Sequence, residues 1–245
     1  MSTDFEELDY RATPMGLLSL RRRKETTTGA VIYEIKLDED FLMSSFFTVA
    51  EIALSNLGLA ASSHPELDVV VGGLGLGYTA VTALEHTQVR ELLVIDALSE
   101  VIEWHEEGLL PLGKKLTVDS RCRLIHGDFF AMAASHRKGF DPDARGRKFH
   151  AILLDVDHSP RAVLHPSHSP FYTPDGLAKL ASHLLPGGVF ALWSDDPPDE
   201  EFEMALGEVF DDQQTHVVTF HNPLQRAESG EAWEDSNTVY VATKA

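Results

Sequence analysis

The sequence predicts an α/β fold: a mostly parallel sheet with helices on both faces, preceded by a small N-terminal β element. Three observations predict it. From residue 68 onward, short aliphatic and β-branched runs alternate with helical patterns, as successive βα units do. Between the first such run, Val69–Val71, and the first helical pattern lies a burst of glycines at 72, 73, 75 and 77. Ahead of residue 61, two strand-like stretches are followed by one long helical stretch. The 245-residue chain therefore divides into an N-terminal β element plus helix, residues 1–61, and a main α/β domain, residues 62–245.

Taken in order, residues 1–14 are acidic and are expected to be irregular. Met15–Arg22 and Ala30–Leu37 read as strands, with Val31, Tyr33 and Ile35 on one alternating face. Thr26–Gly29 turns the chain between them, and Asp38–Asp40 closes the element. Phe41–Ala60 carries Phe46, Phe47, Val49, Ala50, Ala53, Leu54 and Leu57 at helical spacing, which predicts a well-buried helix. Ser62–Pro65 is a linker. Strands are expected at 69–71, 92–95, 123–125, 151–154 and 189–193. Helices are expected at 78–85, 99–107, shortly after 128, up to 185 from 173, and over 200–210. Residues 217–220 and 238–242 read as a closing antiparallel pair. The Pro-, Ser- and His-rich stretch 156–172 has the length of a lid or binding loop.

With 20 basic and 39 acidic residues the net charge is −19. Such a surface repels phosphate backbones and anionic lipid, which excludes nucleic acid and membrane surfaces as partners and favours a small, cationic substrate. A homodimer is left open. Cys122 is the sole cysteine, so neither an internal disulfide nor a thiolate zinc site is expected, and the setting expected is cytoplasmic. No apolar run approaches the roughly 20 residues a membrane helix needs.

In a parallel sheet, ligands bind beyond the carboxyl ends of the strands. Gly72, Gly73, Gly75 and Gly77 follow the first strand there. Asp96 ends the second, 19 residues after Gly77, Asp128 follows the third, and Asp155 and Asp157 follow the fourth. A nucleoside accounts for the series. The loop approaches its polar tail, Asp96 takes the ribose hydroxyls and Asp128 the exocyclic amine, while Asp155 stands near the reactive end. Each aspartate has a blander reading as a helix cap. Glu51, the one charged residue of the 41–60 stretch, reads either as a rim residue pointing into a site or as half of a surface pair. Trp193 reads either as an acceptor-pocket residue or as core. His158, His165 and His168 with Asp155 and Asp157 have metal-ligating chemistry, but they sit on a proline-rich loop rather than a rigid face, and no metal site is assigned. A nicotinamide dinucleotide fits less well, because Tyr78 stands where its fingerprint has a third glycine.

The Gly72–Gly77 loop, Val94-Ile95-Asp96, His126-Gly127-Asp128, Ile152–Asp155, Phe171–Gly176 and Leu185–Gly188 together resemble the spermidine synthase family. That family lies within the wider seven-stranded, Rossmann-like class of S-adenosylmethionine-dependent enzymes. The resemblance covers residues 15–243. It implies an adenosyl-sulfonium ligand and Asp155 as acceptor of the attacking amine's proton, with Asp157 or His158 assisting. It also places Tyr172 in the substrate pocket. Two positions depart from the family. The aspartate in the middle of its glycine loop is Gly75 here, and the second aspartate of its strand-4 motif is His158. Without a loop carboxylate, the tail carboxylate of ordinary S-adenosylmethionine meets no fixed negative charge. The expectation is therefore a transferase leaning to S-adenosylmethionine-dependent methyl transfer. Aminopropyl transfer from decarboxylated S-adenosylmethionine is the alternative, and a non-catalytic nucleoside-binding protein the third reading.

Overall fold

The computed structural model describes residues 5–226 and 232–245. The chain begins with an antiparallel sheet of β1 (Phe5–Thr13), β2 (Gly16–Lys24), β3 (Val31–Leu37) and β4 (Asp40–Ser44), in that order. Two of these strands depart from expectation. Residues 5–13 are a strand rather than irregular, because cross-strand partners stabilise a polar edge that carries little apolar pattern of its own. Glu6 lies opposite Arg22 and is hydrogen-bonded to it. The chain also continues past Asp38, which takes a left-handed φ of 51° at the turn, into β4. The helix expected from residue 41 consequently starts only at Val49, as α1 (Val49–Ala60).

The main domain follows as β5 (Leu67–Gly72), α2 (Tyr78–Glu85), β6 (Val89–Asp96), α3 (Ser99–Glu106), α4 (Gly113–Thr117), β7 (Cys122–His126), α5 (Phe129–Ala133) and β8 (Phe149–Leu154). A 3-10 helix (Pro166–Tyr172), α6 (Pro174–Ala181), β9 (Leu184–Ser194), α7 (Glu200–Gly207), β10 (Asp212–Arg226) and β11 (Ala232–Thr243) complete it. Helix α6 stops at Ala181, short of the expected 185, because Leu184 already pairs with Phe149 as strand. The turn at Pro186–Gly188 is an irregularity inside β9.

The seven-stranded sheet has the order β10-β11-β9-β8-β5-β6-β7. The five central and edge strands β5 to β9 are parallel, and β11 and β10 close the sheet antiparallel. Strand residues alternate between two cores. Val69, Val71, Leu92, Val94, Ala151 and Leu153 face one, where α1 to α4 and the N-terminal sheet pack. Val70, Leu93, Ile95, Ile152 and Leu154 face the other, under α5, α6 and α7. A strand covered on both faces must be apolar at consecutive positions, which explains the unbroken aliphatic runs. The N-terminal sheet is anchored to α3: Trp104 Nε1 donates to Asp9 at 2.6 Å, and Arg11 bonds Glu103. Among the described residues no helix is long and apolar enough to cross a membrane.

Candidate active site

From β5 the chain runs outward through β6 and β7 and then crosses back to β8 on the other side of β5, and the crevice this reversal opens lies beyond the carboxyl ends of β5, β6 and β8. A cavity of about 840 Å³ occupies it, roofed by Met15, Leu37, Leu42 and Met43 of the N-terminal sheet and its turns. The glycine loop forms its floor. Gly73 has a φ of 92°, and a Cβ there would lie 1.9 Å from the Asp155 carbonyl, so only glycine lets the loop close against β8. Gly75, at φ 45°, faces Met43, whose sulfur would lie 2.8 Å from a Cβ. The same sulfur accepts from the Leu76 amide at 3.3 Å. Gly77 caps α2, and Gly72 ends β5 with its carbonyl accepting from the Asp155 amide at 2.8 Å.

Asp96 does two jobs. Its carboxylate accepts from the Leu74 amide at 2.9 Å and the Leu98 amide at 2.8 Å, pinning the loop, and it also lines the cavity. Burial raises its pKa against these bonds. Asp128 caps α5 through the Ala131 amide at 3.0 Å and lines the cavity as well. For both residues the capping and the ligand-facing readings are compatible, since each carboxylate has further lone pairs.

The other end of the cavity brings together residues from distant parts of the chain. Asp155 accepts from the Thr79 hydroxyl at 2.6 Å. Glu51 on α1 faces it across the cavity wall and is 8% exposed. Burial, then the Asp155 charge, then that of Asp195, pushes Glu51 up to about 8. Burial, opposed by Thr79, pushes Asp155 up to about 6. Asp195, bonded by Asn237 at 2.7 Å, His158 and Trp193 complete this end with the aromatic rings of Phe47 and Phe220. No Lys or Arg lines the cavity among the described residues.

Two expected site residues stand elsewhere. Asp157 turns away from the cavity and is 2% exposed. Its oxygens are taken by His168 Nδ1 at 2.8 Å, the Leu164 amide at 2.8 Å and the Tyr172 hydroxyl at 2.7 Å. Tyr172 is buried with it, and neither residue lines the cavity. His168 stacks on Phe130 with centroids 3.8 Å apart. No group of three or more potential metal ligands forms among the described residues.

A spermidine synthase from Thermotoga maritima superimposes over 98% of this chain and 72% of its own, with a TM-score of 0.69 and 16% identity. A spermidine synthase in complex with the transition-state analogue AdoDATO does so over 98% and 74%, with a TM-score of 0.70 and 16% identity. The fold is that of the spermidine synthases. No protein-family model matches the sequence. Within this spermidine-synthase-like fold, sequence reasoning missed Asp195, Thr79 and Met43. Asp195 obeys the strand-end rule used for Asp96 and could have been found by it. Thr79 and Met43 carry no chemical signal in the sequence; only the packing of α2 and β4 against the loop brings them in.

Proposed function

We propose that the protein is a transferase that moves the aminopropyl group of decarboxylated S-adenosylmethionine onto a small amine. The observation that carries this reading is the charge of the cavity. Glu51, Asp96, Asp128, Asp155, Asp195 and Asp235 line it without one Lys or Arg among the described residues. Decarboxylated S-adenosylmethionine brings a sulfonium and an ammonium and no carboxylate, and the acceptor brings a further ammonium. Ordinary S-adenosylmethionine would bring a carboxylate to walls that carry six carboxyls against three histidines, His158, His165 and His168. The empty loop position at Gly75, which by itself favours the methyl donor, is outweighed by Glu51 reaching the same cavity from α1. The spermidine-synthase-like fold supports the same choice.

Asp155 is placed to take the proton of the acceptor's ammonium, and a carboxyl raised toward neutrality suits that task. The freed amine attacks the carbon next to sulfur. The new N–C bond forms as the C–S bond breaks, the electron pair goes to sulfur, and neutral methylthioadenosine leaves. Asp155 then returns its proton to solvent. Stacking and ordering by Trp193, Phe47 and Phe220 would align the amine in line with the bond that breaks.

The test is product analysis with both donors and a panel of linear diamines and polyamines. Methylthioadenosine released in an amine-dependent way from the decarboxylated donor is expected. S-adenosylhomocysteine from the ordinary donor, with none of that product, would replace this reading with methyl transfer. Stabilisation by NAD alone in a thermal shift would overturn both.

A further inference from the structure

Glu51 is 8% exposed, and no hydrogen bond joins its carboxyl to another residue among the described ones. Buried carboxyls elsewhere in the chain are answered: Asp68 and Asp141 by arginines, Asp157 by three donors. Glu51 opens instead on the cavity. Its height in the site follows from its helix. Ser55, one turn further along α1, donates to the Thr79 carbonyl at 2.7 Å, and Thr79 holds Asp155. Glu51 thus stands beside the end of the glycine loop, where the tail of a bound nucleoside enters. The loop contributes no charge of its own there, because Met43 fills the space over Gly75.

We propose that Glu51 is the clamp for the primary ammonium of the donor's tail, and that the donor binds by exchanging its charge for a proton on Glu51. This rests on the reading of the ligand as decarboxylated S-adenosylmethionine. In the unliganded protein a buried carboxylate without a cation keeps its proton. Of the charged groups at this end, Asp155 after β8 and Asp195 after β9 push Glu51 up; Tyr78 from α2, His158 after β8 and Asp235 from β11 are the other titratable groups there, and β10 contributes the uncharged Phe220. When the ammonium arrives, Glu51 ionises, the ion pair forms, and one proton leaves for the buffer.

Titration calorimetry at pH 7 in buffers of different ionisation enthalpy tests this, on the wild type and on Glu51→Gln. The probes are decarboxylated S-adenosylmethionine, S-adenosylmethionine and methylthioadenosine, which lacks the ammonium. The wild type should release close to one proton on binding the decarboxylated donor and none with methylthioadenosine. Its affinity for that donor should rise from pH 6 to pH 8. Glu51→Gln should abolish the proton release and weaken the decarboxylated donor by about 30-fold. Methylthioadenosine should bind the variant within about twofold of wild type, which also reports that the pocket is intact. Equal affinity of wild type and variant for the decarboxylated donor overturns the clamp and leaves the transferase reading standing. So does an equal loss for methylthioadenosine, which would make Glu51 a support of the pocket. Failure of the wild type to bind the decarboxylated donor at all overturns both.

Discussion

At the end of the sheet where β5, β6 and β8 begin, Asp68, Glu91 and Asp141 share Arg90, Arg123 and Arg147. Arg147 alone reaches Asp68 at 3.0 Å, Glu91 at 2.7 Å and Asp141 at 2.9 Å. At the opposite end, Glu51, Asp155 and Asp195 face one cavity that no Lys or Arg lines among the described residues. The pKa directions follow. Burial would raise Asp68 and Asp141, but bonds from Arg90 and Arg147 hold them low, and Arg147 lowers Glu91. Burial wins at Glu51 and Asp155, which lie high. Buried carboxyls are thus satisfied by arginine at one end of the sheet and not at the other. The difference teaches that the acidic composition is not only a solubility device: the chain supplies arginine where the carboxyls are structural and withholds it around the cavity, as the proposed cationic donor requires.

The largest effect that could break this comparison is at the open end. Asp155→Asn removes the proposed proton acceptor and should lower turnover by about 10³-fold while methylthioadenosine still binds. Turnover within a few-fold of wild type would remove Asp155 from the chemistry. At the paired end, Arg147→Met leaves Asp141 with the Asp143 amide and a single arginine, Arg123 at 3.3 Å, and should cost about 3 kcal/mol in urea unfolding. Ligand affinity should not change, and a loss there would mean that the two ends are not independent.

The pH dependence of stability separates the ends next. A carboxyl whose folded pKa lies above its unfolded value holds its proton more tightly in the native state. Its contribution is fully present below the unfolded value and is lost as pH climbs through the folded one. Glu51, near 8, and Asp155, near 6, should therefore make the unliganded protein lose stability from about pH 5 to about pH 8, with a slope approaching 1.4 kcal/mol per pH unit per proton. The paired carboxylates, held low, act oppositely: their contribution is lost as pH falls through their lowered folded values. Glu51→Gln should flatten the first slope and leave the second. A wild-type profile level from neutral to mildly acid pH would contradict the unpaired state of Glu51. The smallest effect is at the loop. Gly75→Ala meets both the φ of 45° and the Met43 sulfur and should destabilise by about 1 kcal/mol. Adding Met43→Ala should recover the part due to contact and not the part due to backbone strain.

How much of this was legible follows from the range of the interactions. The strand, glycine loop and helix at 67–85 were plain because burial on both faces and a tight turn impose a local pattern. Strand β1 was not, since its stability lies in partners across the sheet rather than in its own polar residues. β4 was absorbed into the helix that follows, as aromatic and aliphatic residues at 41–47 fit either period.

By itself the sequence determined the order of the βα units, the glycine loop and the carboxylates Asp96, Asp128 and Asp155 at strand ends, because the spacing of residues along a chain decides these. Only the tertiary structure decided that Asp157 turns inward to Tyr172 and His168, that Met43 seals Gly75, and that Glu51 opens on the cavity without a cation. Those outcomes depend on distances between residues far apart in the chain. A carboxyl's charge is set by whatever the fold brings within a few ångströms of it, which no local pattern records.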